Sequence, residues 1–235
     1  MNPTDAARHW HDPATALRYA RAAARVGLWR SERLLAERHL AKDAPVLELG
    51  CGAGRVALGL WREGWTAVEP TDLSPGMVGL AEGVLAEAGC PFRPRVADAT
   101  ALPFPDGAFA GAIFAFNGLM CIPGRALRAR ALAEIRRVLR PGAALLLTAH
   151  DRLTGPNRDH WLAAVAPAGG ELGDRWHESE TGPVFIHAST EAEGRGELEA
   201  AGFKVALSAM RSELADEPPE VREFSDDTRW FVALA

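Results

Sequence analysis

Three glycines at alternate positions, Gly50, Gly52 and Gly54, follow the apolar run Val46-Leu47-Glu48-Leu49. They precede a segment, 55–63, that is apolar on one face through Val56, Leu58, Leu60 and Trp61. Glycine lacks a Cβ and tolerates positive φ, so this strand–turn–helix pattern marks a turn whose backbone a ligand approaches closely. Two acids recur downstream, Asp72 at 18 residues beyond Gly54, where the second strand pattern ends, and then Asp98, after the third. In an open α/β sheet, ligands lie beyond the carboxyl ends of the strands. A carboxylate for two ribose hydroxyls and an acceptor for an adenine amino group suit an adenosine ligand, each charged hydrogen bond contributing about 1.5–3 kcal/mol. The dinucleotide fingerprint would place its third glycine at position 55, where this chain has Arg55.

The elements that must position these groups alternate along the chain. The patterns predict helices over 14–24 and 31–40, strand 46–49, helix 55–63 and strand 66–71. Ser74-Pro75 then supplies an N-cap and a first-turn proline for a helix over 75–88. Strands 92–96 and 110–116 follow, then helix 127–139 ended by Pro141-Gly142, and strand 143–149. Strands separated by helices imply right-handed βαβ units in a parallel sheet. Pro70 falls inside the second strand, where a missing N–H predicts an early end or a bulge. Residues 151–189 break the pattern with a short helix over 159–165 and a hairpin of arms 175–180 and 184–188, joined through Thr181-Gly182. Thr190 and Glu193 have capping-box spacing for a further helix, and strands 203–210 and 230–234 close the sheet. The chain reads as one domain over 1–235, with an amino-terminal helical lid (1–40) and a substrate-side insertion (151–189).

The 235 residues carry a net charge of −5, against the basic excess of a general nucleic-acid binder. The charge is uneven: residues 171–235 hold 6 basic and 15 acidic side chains, which reads as a solvated surface. The sequence shows neither an 18-residue apolar run nor a signal peptide. Cys51, Cys90 and Cys121 form no CxxC pair, which argues against a zinc site or disulfide framework and for a reducing cytoplasm. No metal site is expected.

The glycine run after Glu48 resembles motif I of the class I (Rossmann-like) S-adenosylmethionine (SAM) methyltransferases. Asp72-Leu73-Ser74-Pro75-Gly76-Met77 resembles the family's segment after strand two, Ala97-Asp98-Ala99 with Leu102-Pro103-Phe104 its adenine-reading segment, and Arg136 to Gly142 the turn before strand five. The resemblance runs from about residue 45 to the end. It implies a seven-stranded, mostly parallel sheet with the last strand antiparallel and helices on both faces. It also implies cofactor contacts from Glu48, Gly50, Cys51, Gly52 and Gly54; from Asp72, Leu73 and Met77; from Asp98, Ala99 and Asn117; and from Tyr19, the only tyrosine, on the lid. Glu48 either meets the methionine end of SAM or braces the glycine turn. Glu69 is a rival to Asp72. Cys51 reads as a small buried residue rather than a nucleophile. The chain departs from the family at Ala110 and Gly111, where an acid is common. Asn117-Gly118-Leu119-Met120 also differs from the Asn-Pro-Pro-Tyr type of motif, which disfavours DNA adenine or protein glutamine methylation.

The implied activity is methyl transfer to a small-molecule acceptor at O, N or C by in-line displacement, with S-adenosylhomocysteine (SAH) as co-product. The alternatives are an RNA or protein methyltransferase, or a non-catalytic SAM-binding protein on the same fold. A general base is needed only where the acceptor must lose a proton first. His150 at the end of strand five is the first candidate and His187 the second, with His160 and His177 as further substrate contacts. Trp161, Trp176 and Phe185 suit an aromatic acceptor wall. No nucleic-acid or membrane partner is expected, and the oligomeric state is not legible.

Overall fold

The computed structural model describes residues 9–235 apart from 117, 156, 164–165, 168 and 180–181. Two helices open it, α1 (Pro13–Val26) and α2 (Arg30–His39). Asp12 caps α1 by accepting from Thr15 N at 2.9 Å. The backbone N–H groups of Arg30 and Ser31, at the start of α2, donate to the Glu217 carboxylate, both at 2.9 Å. The βα alternation follows: β1 (Val46–Leu49), α3 (Arg55–Arg62), β2 (Val68–Asp72), α4 (Pro75–Glu87), β3 (Arg95–Val96), β4 (Phe109–Phe114), α5 (Arg125–Val138) and β5 (Leu139–Asp151). Ser74 caps α4 as its sequence predicts, its hydroxyl accepting from Met77 N at 3.3 Å.

The later part contains α6 (Arg158–Leu162), β6 (Asp174–Ser179), β7 (Gly182–Ser189), α7 (Glu191–Ala200), β8 (Lys204–Met210), α8 (Arg211–Leu214), α9 (Pro219–Phe224) and β9 (Arg229–Leu234). The main sheet runs β3-β2-β1-β4-β5-β9-β8. β9 is antiparallel to both neighbours and the other neighbouring pairs are parallel, so the expected seven strands are present. The hairpin β6–β7 adds two more, pairing with the end of β5 through His150↔Ala188 and Asp151↔Ser189. Its tip, including Thr181, lies outside the described residues. Residues 164–165 of the expected short helix do too; α6 is shorter, from Arg158 to Leu162.

Both faces of the sheet are covered, and the strands show it by period two. In β9, Phe231 and Ala233 join the core under α5 and α7 with Ile135 and Leu198, whereas Trp230 and Val232 join the core under α2 and α3 with Leu35 and Leu60. Two strand expectations and one helix end need correction. β2 does not end early at Pro70: it runs to Asp72. Asp72 O accepts from Ala97 N on the β3 side. Alternation turns Pro70 to that same edge, where pairing starts only at Thr71↔Arg95, so no ladder bond is lost. β3 is correspondingly two residues long, not five. Pro141-Gly142 does not end α5, which stops at Val138; it sits in a register shift of β5 against β4 between Phe109 and Gly111.

Candidate active site

Gly50, Gly52 and Gly54 have φ of 63°, 54° and 84°, conformations that only glycine adopts without strain. The turn they form is tied to the next strand: Asp72 accepts from Gly52 N at 2.9 Å through one carboxylate oxygen and from Ser74 N at 2.8 Å through the other. Burial pushes the Asp72 carboxyl up, and these N–H groups oppose the shift. A carboxylate offers about four lone-pair sites, so acceptor capacity remains for a ligand.

The turn opens on a cavity of about 310 Å³. Its walls come from the ends of β1, β2 and β4, the segment after β3, and two covering pieces, Tyr19 on α1 and Phe224 on α9. Glu48, Gly50, Cys51, Gly52, Asp72, Leu73, Met77, Asp98, Ala99 and Tyr19 all line it. Gly54 does not, because its Cα faces Ala81 and Leu85 of α4 instead. Asn117 lies outside the described residues. Asp98 is exposed and spends one oxygen on its own turn, accepting from Thr100 N and Oγ1 at 2.8 Å each. The Glu69 carboxylate pairs with Arg95 at 2.8 Å and does not line the cavity.

Glu48 is the most perturbed of these acids. It is 3% exposed, and its Oε2 has no hydrogen-bond partner. Burial pushes its carboxyl up to about 8, opposed by the Arg55 charge and the N–H of Ala57, and reinforced by the Glu32 and Asp72 charges. Arg55 cannot turn fully to Glu48, because its guanidinium grips the buried Glu32 carboxylate at 2.6 and 2.5 Å and donates to Gly27 O at 2.8 Å. It also lies 4.7 Å from the Trp29 ring centroid, with Arg211 at 5.1 Å from the same ring. Burial raises the Cys51 thiol well above its usual range, so it stays protonated and serves as wall, as its type suggests.

Beyond β4 the cavity is aromatic. The Phe116 ring lies 5.0 Å from Phe224 and 6.4 Å from Tyr19, and Trp10 lies 5.4 Å from Tyr19. Phe116 has φ of 37°, uncommon for a bulky residue and the only such non-glycine among the described residues; strain of this kind concentrates where a site needs a fixed side chain. The sequence reading missed Phe116, Phe224 and Cys121. Phe116 carried a signal, its place at the carboxyl end of the predicted strand 110–116; Phe224 carried none, being brought in by tertiary packing of α9.

The expected acceptor-side residues lie elsewhere. His150 and His187 are both buried, and neither lines the cavity. Burial pushes the His150 imidazole down to about 4; its Nδ1 is 3.9 Å from Asp226 and its ring 5.4 Å from Trp161. His187 Nδ1 is 2.7 Å from Asp174 Oδ1, beside a buried Arg128 that pairs with Glu197 at 2.7 Å. Burial and the Arg128 charge lower the His187 pKa against the pull of Asp174. His160 and His177 face each other at 5.7 Å, and Trp176 packs on Phe185 across the hairpin at 5.6 Å. Together with Trp161, they lie outside the cavity. The cause is topological: the hairpin docks on the far extension of β5, carrying its aromatic residues away from the end of β4.

Comparison with known proteins follows the same outline. Residues 46–142 match the family described as Methyltransferase domain. The demethylmenaquinone methyltransferase of Thermus thermophilus is 38% identical over 103 residues, 43% of this chain and 45% of that protein. The solved SAM-dependent methyltransferase of Methanosarcina mazei superposes with a TM-score of 0.71 at 23% identity, covering 85% of this chain and 96% of that one. The family match spans β1 to β5, and the fold as a whole is the one that this solved SAM-dependent methyltransferase adopts. A third likeness has a TM-score of 0.60 at 18% identity, covering 100% of this chain and 90% of the other: the 1,6-didemethyltoxoflavin-N1-methyltransferase of Burkholderia thailandensis, solved with its acceptor and SAH. The chain spans about half the length of the curated relatives it matches.

The family's cofactor is SAM, and the residues present fit it. The orphaned Glu48 Oε2 suits a cationic donor such as an α-ammonium, Asp72 keeps acceptor capacity beside open glycine backbone, and the cavity is continuous from there to the aromatic end. Among the described residues, no group of three His, Cys, Asp or Glu is placed to hold a metal ion, and no helix is long and apolar enough to cross a membrane.

Proposed function

We propose that this chain transfers the methyl group of SAM to a small, mainly apolar acceptor. The observation that carries the reading is the cavity itself, polar and acidic at the glycine turn and aromatic beyond β4. Asp72 holds the glycine turn open and takes the ribose hydroxyls, Glu48 takes the ammonium of the methionine end, and Asp98 with Ala99 flanks the adenine. SAM supplies the electrophile, a methyl group on a sulfonium. The chain's task is therefore to hold an acceptor in near-attack geometry, where positioning contributes about 7–11 kcal/mol. Tyr19, Phe116 and Phe224 do this by closing the aromatic end and excluding water. The relatives' names support a small acceptor: one is named for a quinone precursor, another for a toxoflavin precursor.

Incubation with methyl-labelled SAM and a panel of hydroquinones, phenols and cyclic amines tests this. Mass-resolved transfer to at least one ring compound, lost in Phe116→Ala, is expected. SAH binding without transfer to any acceptor would instead favour a SAM-binding protein without turnover.

A further inference from the structure

The described lining of the cavity's aromatic end carries no charge. Among the described residues beyond the end of β4, its lining holds no carboxylate, imidazole, ammonium or guanidinium; the polar side chains are those of Trp10, Tyr19 and Cys121. Burial pushes the Cys121 thiol up, so it takes no proton. Acidic groups face the rest of the cavity, Glu48, Asp72 and Asp98, whereas Arg55 is committed to Glu32. Two consequences follow. An acceptor O–H is a weak nucleophile until its proton leaves, and no base lines the described part of this end to take it, whereas a neutral amine attacks through its lone pair with no prior loss of a proton. Positive charge, in contrast, is favoured there by the aromatic ring faces.

We propose that the acceptor atom is the nitrogen of a neutral amine borne on an apolar or aromatic body. This rests on the methyl-transfer reading and narrows it. The nitrogen lone pair forms the new N–CH3 bond as the C–S bond of the sulfonium breaks and its electron pair stays on sulfur. Positive charge passes from sulfur to nitrogen, which sits among Tyr19, Phe116 and Phe224. A primary or secondary amine then releases its N–H proton to water, and a tertiary amine leaves as a quaternary ammonium. The attack itself needs no protein base, and His150 and His187 lie outside the cavity.

Three probes that share a phenol ring and differ in charge at the para position test this. They are 4-hydroxyphenyltrimethylammonium, its neutral isostere 4-tert-butylphenol, and 4-hydroxybenzoate, each titrated calorimetrically into the SAH-saturated protein. The cation is expected to bind about fivefold or more tighter than the neutral isostere, with the carboxylate weakest. Phe224→Leu is expected to shrink that preference while SAH binding persists. Equal or tighter binding of 4-tert-butylphenol, preference for the carboxylate, or no binding of the cation at millimolar concentration would overturn the proposal. Failure of SAH itself to bind would instead overturn the methyltransferase reading, so the two outcomes are separable.

Discussion

Glu48 sits in the site at a cost to the empty protein. Its carboxyl is held at about 8 by burial, against 4.5 when freely solvated. Between those values the native state keeps the proton that the unfolded chain has lost, so the folded form binds more protons and stability falls as pH rises. Above about 8 both states are ionised and the loss levels off. Glu48→Gln is therefore expected to raise the melting temperature of the ligand-free protein at pH 8, with the gain shrinking towards pH 5; thermal scans across that range check it. The same variant is expected to weaken SAH, because the ammonium loses its ionised partner. Wild type should release a proton on binding SAH at pH 7, read by calorimetry in buffers of different ionisation enthalpy, and Glu48→Gln should not. A melting temperature unchanged by the substitution at pH 8 would contradict the assignment.

The strand–turn–helix element around the glycines was legible because its requirements are local: alternating glycines, an apolar run before them and a one-faced helix after. Asp72 was legible for the same reason, as the last residue of a short strand. What joins this element to the rest was not. Glu32 is 0% exposed and grips Arg55 across 23 residues, the Trp29 ring packs against both Arg55 and Arg211, and Glu217 caps α2 from 186 residues away. No period or motif announces such pairs, since each depends on the completed tertiary fold. Phe224 escaped notice likewise, and the burial of His150 was not legible, because whether a histidine ending a strand stays open depends on the segment that follows. Here the hairpin and Trp161 cover it. Removing one partner of a buried ion pair strands the other charge, which costs about 3–5 kcal/mol. Arg55→Ala is expected to destabilise by that amount, seen as a lower urea midpoint with unchanged slope. Glu32→Leu combined with Arg55→Met should recover much of it. A midpoint unmoved by Arg55→Ala would show that the pair does not hold α2 to the glycine turn.

For the molecule as a whole, the cavity is roofed by parts distant in sequence, α1 and α9, at one end of a sheet that carries a hydrophobic core on each face. A ligand that fills the cavity binds only the folded form, so its binding energy adds to stability. At 100-fold excess over its Kd, SAH is expected to add about 2.7 kcal/mol, a rise in Tm of roughly 5–11 °C for a chain of this length. The most direct test of the central claim is calorimetric titration of SAH into the wild type and into Asp72→Ala. One site per chain is expected, with affinity about 10- to 100-fold weaker in the variant, which loses charged hydrogen bonds and the brace on Gly52. Absence of SAH binding to the wild type, or binding that Asp72→Ala leaves untouched, would contradict the account.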